Sequence, residues 1–377
     1  MDYEAQIKKN QFRTEEYKIN MGPQHPATHG VLRLNLTIDG EIIKRVEPDL
    51  GYIHRGIEKM CEYDSYPQII HLTDRMDYLS SHNNNEAVAL AIEKALEIEV
   101  SDRVKYIRTI VGELTRLASH QLWWGVMGMD LGALTSYFYG FRDREVINDI
   151  FEETCGARLT MNYSIPGGIR YDIHKNFVQR VKDFIVHFRS KLPEYDQLLT
   201  GNIIFEKRMK GVGILSKEDA ISYGVSGPVA RASGVKSDIR KIKPYSAFAV
   251  QDIDFKEPIY TEGDAYSRYK VRIDEMWESM RIIEQLVDNI PEGNIKEPTK
   301  AVIKLPKGEF YQRVETARGE LGVYINSDGK KSPYRMKFRS PGFSNLSALE
   351  DMAVGSKLGD LVAMMATLDL VVPDIDR

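Results

Sequence analysis

MGPQHPATHGVLRLNLTIDGEI, residues 21–42, sets a turn-rich loop ahead of an apolar–polar alternation that breaks at Asp39-Gly40. Asp-Gly between two alternating runs is a strong short-range hairpin signal, so residues 31–48 read as two paired strands. The loop before them holds two histidines, His25 and His29, among Gly22, Pro23 and Pro26. Their i,i+4 spacing suits a metal only on a helix, and the prolines argue for irregular backbone. No carboxylate or cysteine nearby offers a third ligand. Spacing alone favours a histidine that fixes the loop by hydrogen bonds, although a loop beside a rigid hairpin is also a common seat for a binding side chain.

Downstream the period changes from two to that of helices. Residues 84–100 read as one helix. A second begins after Ser101, a good N-cap, and carries Val104, Ile107, Ile110, Val111, Leu114, Leu117 and Ala118 on its apolar positions. A third ends at Gly156, a helix-stopping glycine. Two more span about 172–192 and 267–290, a short one opens at Ser216, and residues 291–306 read as a loop. Strand-like pieces follow within GELGVYINSDGKKSPYRMKFR, then a final helix and the tail DLVVPDIDR. The expected class is α+β. It has a β-rich segment over 1–60, a helical core over 61–290 that can pack as a bundle, and an α+β segment over 291–377.

Composition narrows the function. With 377 residues, 42% hydrophobic and 28% charged, the chain is globular. A net charge of −4 argues against a nucleic-acid binder. No apolar run reaches the roughly 20 residues of a spanning helix. The N-terminus is too charged for a signal peptide and too acidic for a transit peptide. Cys61 and Cys155 are the only cysteines, so no cysteine-ligated zinc or iron–sulfur site can be built from this chain, and two buried free thiols are expected. No phosphate loop, nucleophile elbow or HExxH occurs.

Two stretches concentrate polar chemistry. HLTDRMDYLSSHNNNE (71–86), with Asp74, Arg75, Asp77, Tyr78, His82 and three asparagines, reads either as helix capping plus an Arg–Asp pair or as a buried polar constellation at a site. In WWGVMGMDLGALT (123–135), Asp130 interrupts an apolar run. A carboxylate there wants a partner, histidine being a natural one, or else it caps the next segment. GYIHRGIEKM (51–60) can be no more than a basic surface strip.

Taken together, MGPQHPATHGVLRL, GYIHRGIEK, RMDYL, ELTRLASH, MDLGALT, FRDRE, RASGVKSDIRK, ARGELGVY and the terminal DIDR resemble, in order from about residue 18 to Arg377, the 49 kDa-type D subunits of proton-pumping NADH-quinone oxidoreductases, the complex I family. That family is related to the nickel–iron hydrogenase large subunit, so the resemblance implies a hydrogenase-large-subunit-like fold. The hydrogenase cysteines align with Asp77 and Ser80 in RMDYLS and with Val371 and Asp374 in DLVVPD. Losing all four thiolates excludes a nickel centre.

The resemblance implies that a quinone headgroup takes that place, with Tyr78 and His29 at its two carbonyls and Asp130 as the histidine's partner. His25 then supports the loop. No cofactor is held by this chain; electrons come from an iron–sulfur cluster in a partner subunit, with Arg55 beside it as a nearby cation. Further implied partners are the other complex I subunits, including those of the membrane arm, and no nucleic acid. The implied location is peripheral, on the cytoplasmic side of the inner membrane. Two departures stand out. Thr160 replaces a family histidine within GARLTMNYSIPGG and the usual NYIR reads NYSI, which implies a lower, less pH-dependent cluster potential suited to menaquinone. The stretch 290–307 is also shorter than usual. The alternatives are a relative fed by ferredoxin or another donor, and a non-catalytic hydrogenase-like scaffold.

Overall fold

A computed structural model describes residues 16–28 and 30–377. The expected hairpin is present, with β2 (Arg33–Asp39) and β3 (Ile42–Asp49) antiparallel around Gly40 at φ 62°. β1 (Glu16–Met21) adds a third strand on the outer side of β2. The sequence reading did not assign it, although Tyr17, Ile19 and Met21 alternate with polar residues; four of its six residues are exposed, as on an edge strand.

Five long helices follow. α1 (Ser81–Leu96) starts three residues before the sequence pattern does. Its asparagines explain the difference. Asn84 Nδ2 donates to the carbonyls of Thr73 (3.1 Å) and Asp77 (3.0 Å), and Asn85 Nδ2 to that of Ile70 (2.9 Å). They satisfy the open carbonyl end of the preceding short helix Tyr66–Thr73. α2 (Asp102–Asp130) has Ser101 as N-cap, its Oγ accepting from Val104 N at 3.3 Å. α3 (Leu134–Cys155) ends at Gly156 with φ 78°. α4 (Phe177–Tyr195) begins later than the pattern implied, and α5 (Ala265–Val287) is close to it. Near the C-terminus β4 (Gly308–Thr316), β5 (Gly319–Ser327) and β6 (Arg335–Arg339) form an antiparallel sheet, and α6 (Leu358–Leu368) leads into the tail. The chain is therefore a mixed helix-and-sheet protein. None of its described helices is long and apolar enough to cross a membrane.

The apolar cores do not follow chain order. One lies among α2, α3, α4 and α5. A second joins the N-terminal sheet to α6 and the tail, through Leu34, Leu36, Leu361 and Val372. A third joins α1 and its preceding helices to the C-terminal sheet, through Ile69, Ile92, Val323 and Phe338. Segments distant in sequence thus converge beside residues 74–80. Cys61 and Cys155 are both buried and free.

α2 and α3 cross on glycine. A Cβ on Gly140 would stand 2.5 Å from the carbonyl oxygen of Gln121, and one on Gly125 would stand 3.2 Å from Ser136 O. Because backbone cannot yield as a flexible side chain can, Gly140→Ala is expected to cost about 1–3 kcal/mol. Calorimetry of the purified protein would register this as a lowered thermal midpoint; an unchanged midpoint would mean the helices separate freely.

Candidate active site

Tyr78 sits in the turn between the Tyr66–Thr73 helix and α1, its side chain 38% exposed, while Asp77 beside it is buried. The β4–β5 turn brings Arg318 onto Asp77, with Nη1 at 2.9 and 3.1 Å from the two carboxylate oxygens. A hairpin tip is usually wet, yet Arg318 is buried, because the turn is pressed onto the short helix Gly227–Ala232. Gly319 (φ 130°) and Gly227 (φ 67°) make that approach possible: a Cβ on Gly319 would lie 2.6 Å from Ser226 Oγ, and one on Gly227 2.4 Å from Gly319 Cα. The ARGEL motif is therefore one charged clamp and the glycine that lets it in.

Arg318 also holds the tail. Its Nη2 donates to Asp369 Oδ1 at 3.1 Å and its Nε to the Asp369 carbonyl at 3.1 Å, while Nη1 reaches Ser119 Oγ on α2 at 3.1 Å. Arg272 on α5 stands 3.8 Å from Asp369 Oδ2 and lies over the Trp123 ring. Asp374, also buried, accepts from Ser340 Oγ. Ser80 Oγ accepts from Asn83 Nδ2 (3.3 Å) and Ala317 N (3.4 Å), and Val371 is buried apolar packing. The four positions matched with hydrogenase cysteines thus carry two carboxylates, a hydroxyl and a valine.

Burial raises the carboxyl of Asp77 against the pull of Arg318, with Asp374 and Asp369 adding to the rise, and brings it to about 6. Burial also raises the Tyr78 phenol; Arg318 opposes this, while Asp77 and Asp369 add to it. The phenol therefore keeps its proton at neutral pH, beside a cation that stabilises its anion once the proton leaves.

His29 lies outside the described residues. The residues on either side of it are fixed: Thr28 Oγ1 donates to His25 O (2.8 Å) and Gly30 O (3.1 Å), and a Cβ on Gly30 would touch Val372 of the tail at 3.4 Å. His25 is exposed, its Nδ1 accepting from Ala27 N at 3.2 Å, a contact within the loop. Asp130 is the last residue of α2 and half-buried. The following helix is N-capped at Ala133, so a capping role for Asp130 is not realised. A carboxylate at a helix C-terminus opposes the helix dipole, so the placement of Asp130 there is not explained by the helix itself. On an ideal helix it is about 16 Å along the axis from Ser119, the α2 residue that Arg318 reaches.

Arg55 is exposed and donates to the carbonyl of Arg75, three residues before Tyr78. Its loop is pinned by the tail, Asp376 accepting from Gly51 N and Ile53 N, both at 2.9 Å. Arg55 is therefore tied to the Tyr78 turn. Sequence reading assigned no role to Arg318, Asp369 or Arg272. Asp369 carried the same signal as Asp130, a charge inside an apolar run.

Residues 130–377 match the family described as Respiratory-chain NADH dehydrogenase, 49 Kd subunit. The fused C/D subunit of NADH-quinone oxidoreductase from Bacteroides thetaiotaomicron is 56% identical over 366 residues, covering 97% of this chain and 69% of the longer relative. The C/D subunit from Phocaeicola vulgatus is also 56% identical, over 97% of this chain and 70% of its own. The D subunit from Bacillus cereus is 47% identical over 365 residues, 97% of this chain and 99% of the relative. Identity of that order across almost the whole chain places it in one family: the chain belongs to the 49 kDa, D-type subunits of NADH-quinone oxidoreductase, and works as part of an oxidoreductase complex among other complex I subunits.

Proposed function

We propose that this chain carries the quinone-headgroup site of a proton-pumping NADH-quinone oxidoreductase, on a hydrogenase-large-subunit-like frame from which the metal ligands are gone. The observation that carries the reading is a half-exposed phenol, Tyr78, backed by the buried Asp77–Arg318 pair. Reducing a quinone to a quinol takes two electrons and two protons. Tyr78 donates a hydrogen bond to one carbonyl and then its proton, and Arg318 steadies the phenolate left behind. His29 serves the other carbonyl, and Asp130 holds its imidazole in orientation and stabilises the imidazolium. Electrons reach the quinone from an iron–sulfur cluster in a neighbouring subunit, with Arg55 as a cation beside it raising its potential. Thr160 fits a low-potential quinone such as menaquinone. The complex holds the chain at the cytoplasmic face of the inner membrane.

A photoreactive menaquinone analogue, added to membranes holding the complex, is expected to label the peptide containing residues 74–80, with excess menaquinone suppressing the label. Labelling of this chain only elsewhere would overturn the reading.

A further inference from the structure

Asp369 and Asp374 both act on Asp77, and Asp77 and Asp369 act on the Tyr78 phenol; Arg318 from the β4–β5 turn pairs with Asp77 and Asp369, and Arg272 from α5 faces Asp369. Arg377 also acts on Asp374 from the chain end, but its Nε is engaged by Glu58 at 3.2 Å. Glu275 and Arg231, which face Arg272 from the other side, pair with each other. Among the described residues, three buried carboxylates thus face two fully buried guanidiniums, with Arg377 shared between Asp374 and Glu58. An uncompensated buried carboxylate costs several kcal/mol, so it takes a proton instead.

A second observation points the same way. Asp369 Oδ2 and Arg272 Nε and Nη2 are buried and have no hydrogen-bond partner among the described residues, although Nε and Oδ2 are only 3.8 Å apart. The cluster is thus incompletely satisfied, as befits a site whose proton count changes.

We propose that the Asp77–Asp369–Asp374 cluster stores one proton and returns it to Tyr78 after each quinone reduction. This rests on the quinone-site reading above. The quinone takes two electrons originating from NADH and two protons: the Tyr78 O–H bond breaks as an O–H bond forms at one quinone oxygen, and the second oxygen takes its proton from the His29 imidazolium that the quinone-site reading puts there. The phenolate then takes the stored proton, breaking a carboxyl O–H bond, and solvent reloads the carboxylate. Asp77 and Asp374 act through Tyr78 and are proton-relay residues. Burial raises both carboxyls, that of Asp77 to about 6, which favours the protonated form more than at an exposed carboxyl.

The test uses the assembled complex. Infrared difference spectra between about pH 5 and about pH 8 should show a protonated-carboxyl carbonyl band in the wild type that Asp77→Asn and Asp374→Asn each remove. The same variants should lower kcat for quinone reduction about tenfold with an unchanged quinone KM, and abolish the alkaline fall of the wild-type pH profile. Having lost the same shared proton, the double variant should be no slower than either single one. A wild type without the band, or variants that keep the alkaline limb, would overturn the proposal, and the spectral readout needs no turnover. Tyr78→Phe separates the two readings. If it abolishes quinone reduction while the aspartate variants behave as wild type, only the proton store fails; if it leaves quinone reduction intact, the quinone site itself fails.

Discussion

Tyr78→Phe is expected to lower quinone reduction by about 10²–10³-fold while NADH oxidation by an artificial acceptor upstream of the quinone stays at the wild-type rate. The substitution keeps the ring and its packing and removes one O–H. The side chain is 38% exposed and no buried partner depends on its hydroxyl for charge balance, so the fold should barely register the change. The chemistry should register it strongly, since a positioned general acid contributes about 10²–10⁴-fold and the phenol here stays protonated at neutral pH. A raised KM with unchanged kcat would instead mean that Tyr78 only holds the ground-state quinone. Equal, wild-type-like rates in both assays would leave the chain a scaffold. Because the artificial acceptor draws electrons before the quinone, a failure of assembly would lower both rates and be recognised as such.

The hairpin and the long helices were legible because their signals are local: Asp-Gly at 39–40, Ser101 before an apolar period, Gly156 after one. The edge strand β1 was missed although Tyr17, Ile19 and Met21 alternate with polar residues, because the run is short and lies in a charged N-terminal stretch without a turn signal of its own. The polar stretch 71–86 left two readings open, and the structure divides them by residue. Asn84, Asn85 and His82 are structural; burial drives the His82 imidazole down to about 3, and its Nε2 meets the Arg108 carbonyl at 3.0 Å. Asp77 and Tyr78 are the ones that lie beside Arg318, the arrangement on which the proposed quinone site rests. Arg318 was invisible for a physical reason. It lies at a hairpin tip, where an arginine ordinarily snorkels into water, and only the packing of the tip onto Gly227 buries it. Arg108, Glu113, Arg116 and His120 are charged or polar residues that a helix period would turn to solvent. α2 is instead buried on nearly every side, so those groups pair inside.

Arg231→Leu tests that buried pairing. Arg231 is fully buried, donates to Glu315 at 2.8 Å and to Glu275, and stands 3.9 Å from Asp238. Removing it leaves three buried carboxylates with one cation fewer. Arg240 still holds Asp238 at 2.6 Å and His120 still meets Glu275 at 2.8 Å, but Glu315 loses its only short cationic contact among the described residues. The expected loss is about 3–5 kcal/mol, read as a lowered denaturation midpoint of the complex. Its pH dependence has a definite sign. Burial opposes the Glu275 charge, but Arg231 and His120 outweigh it and hold the carboxyl well below the usual range. Without Arg231 the Glu275 carboxyl rises, and that of Glu315, which burial already raises, rises further. The deficit is therefore full at neutral pH and shrinks as pH falls through the raised values and protons replace the missing charge. If lost packing were the cause, the deficit would be the same at both ends. A triple variant, Arg231→Leu with Glu275→Gln and Glu315→Gln, removes the stranded charges and should recover much of the midpoint. Recovery of stability without recovery of quinone reduction is then the informative result. Arg116 donates to the carbonyls of Thr316 (2.7 Å) and Glu315 (2.8 Å), so this network also fixes the strand that delivers Arg318 to Asp77. Stability depends on the charge balance of the network, whereas catalysis depends on where it places one arginine.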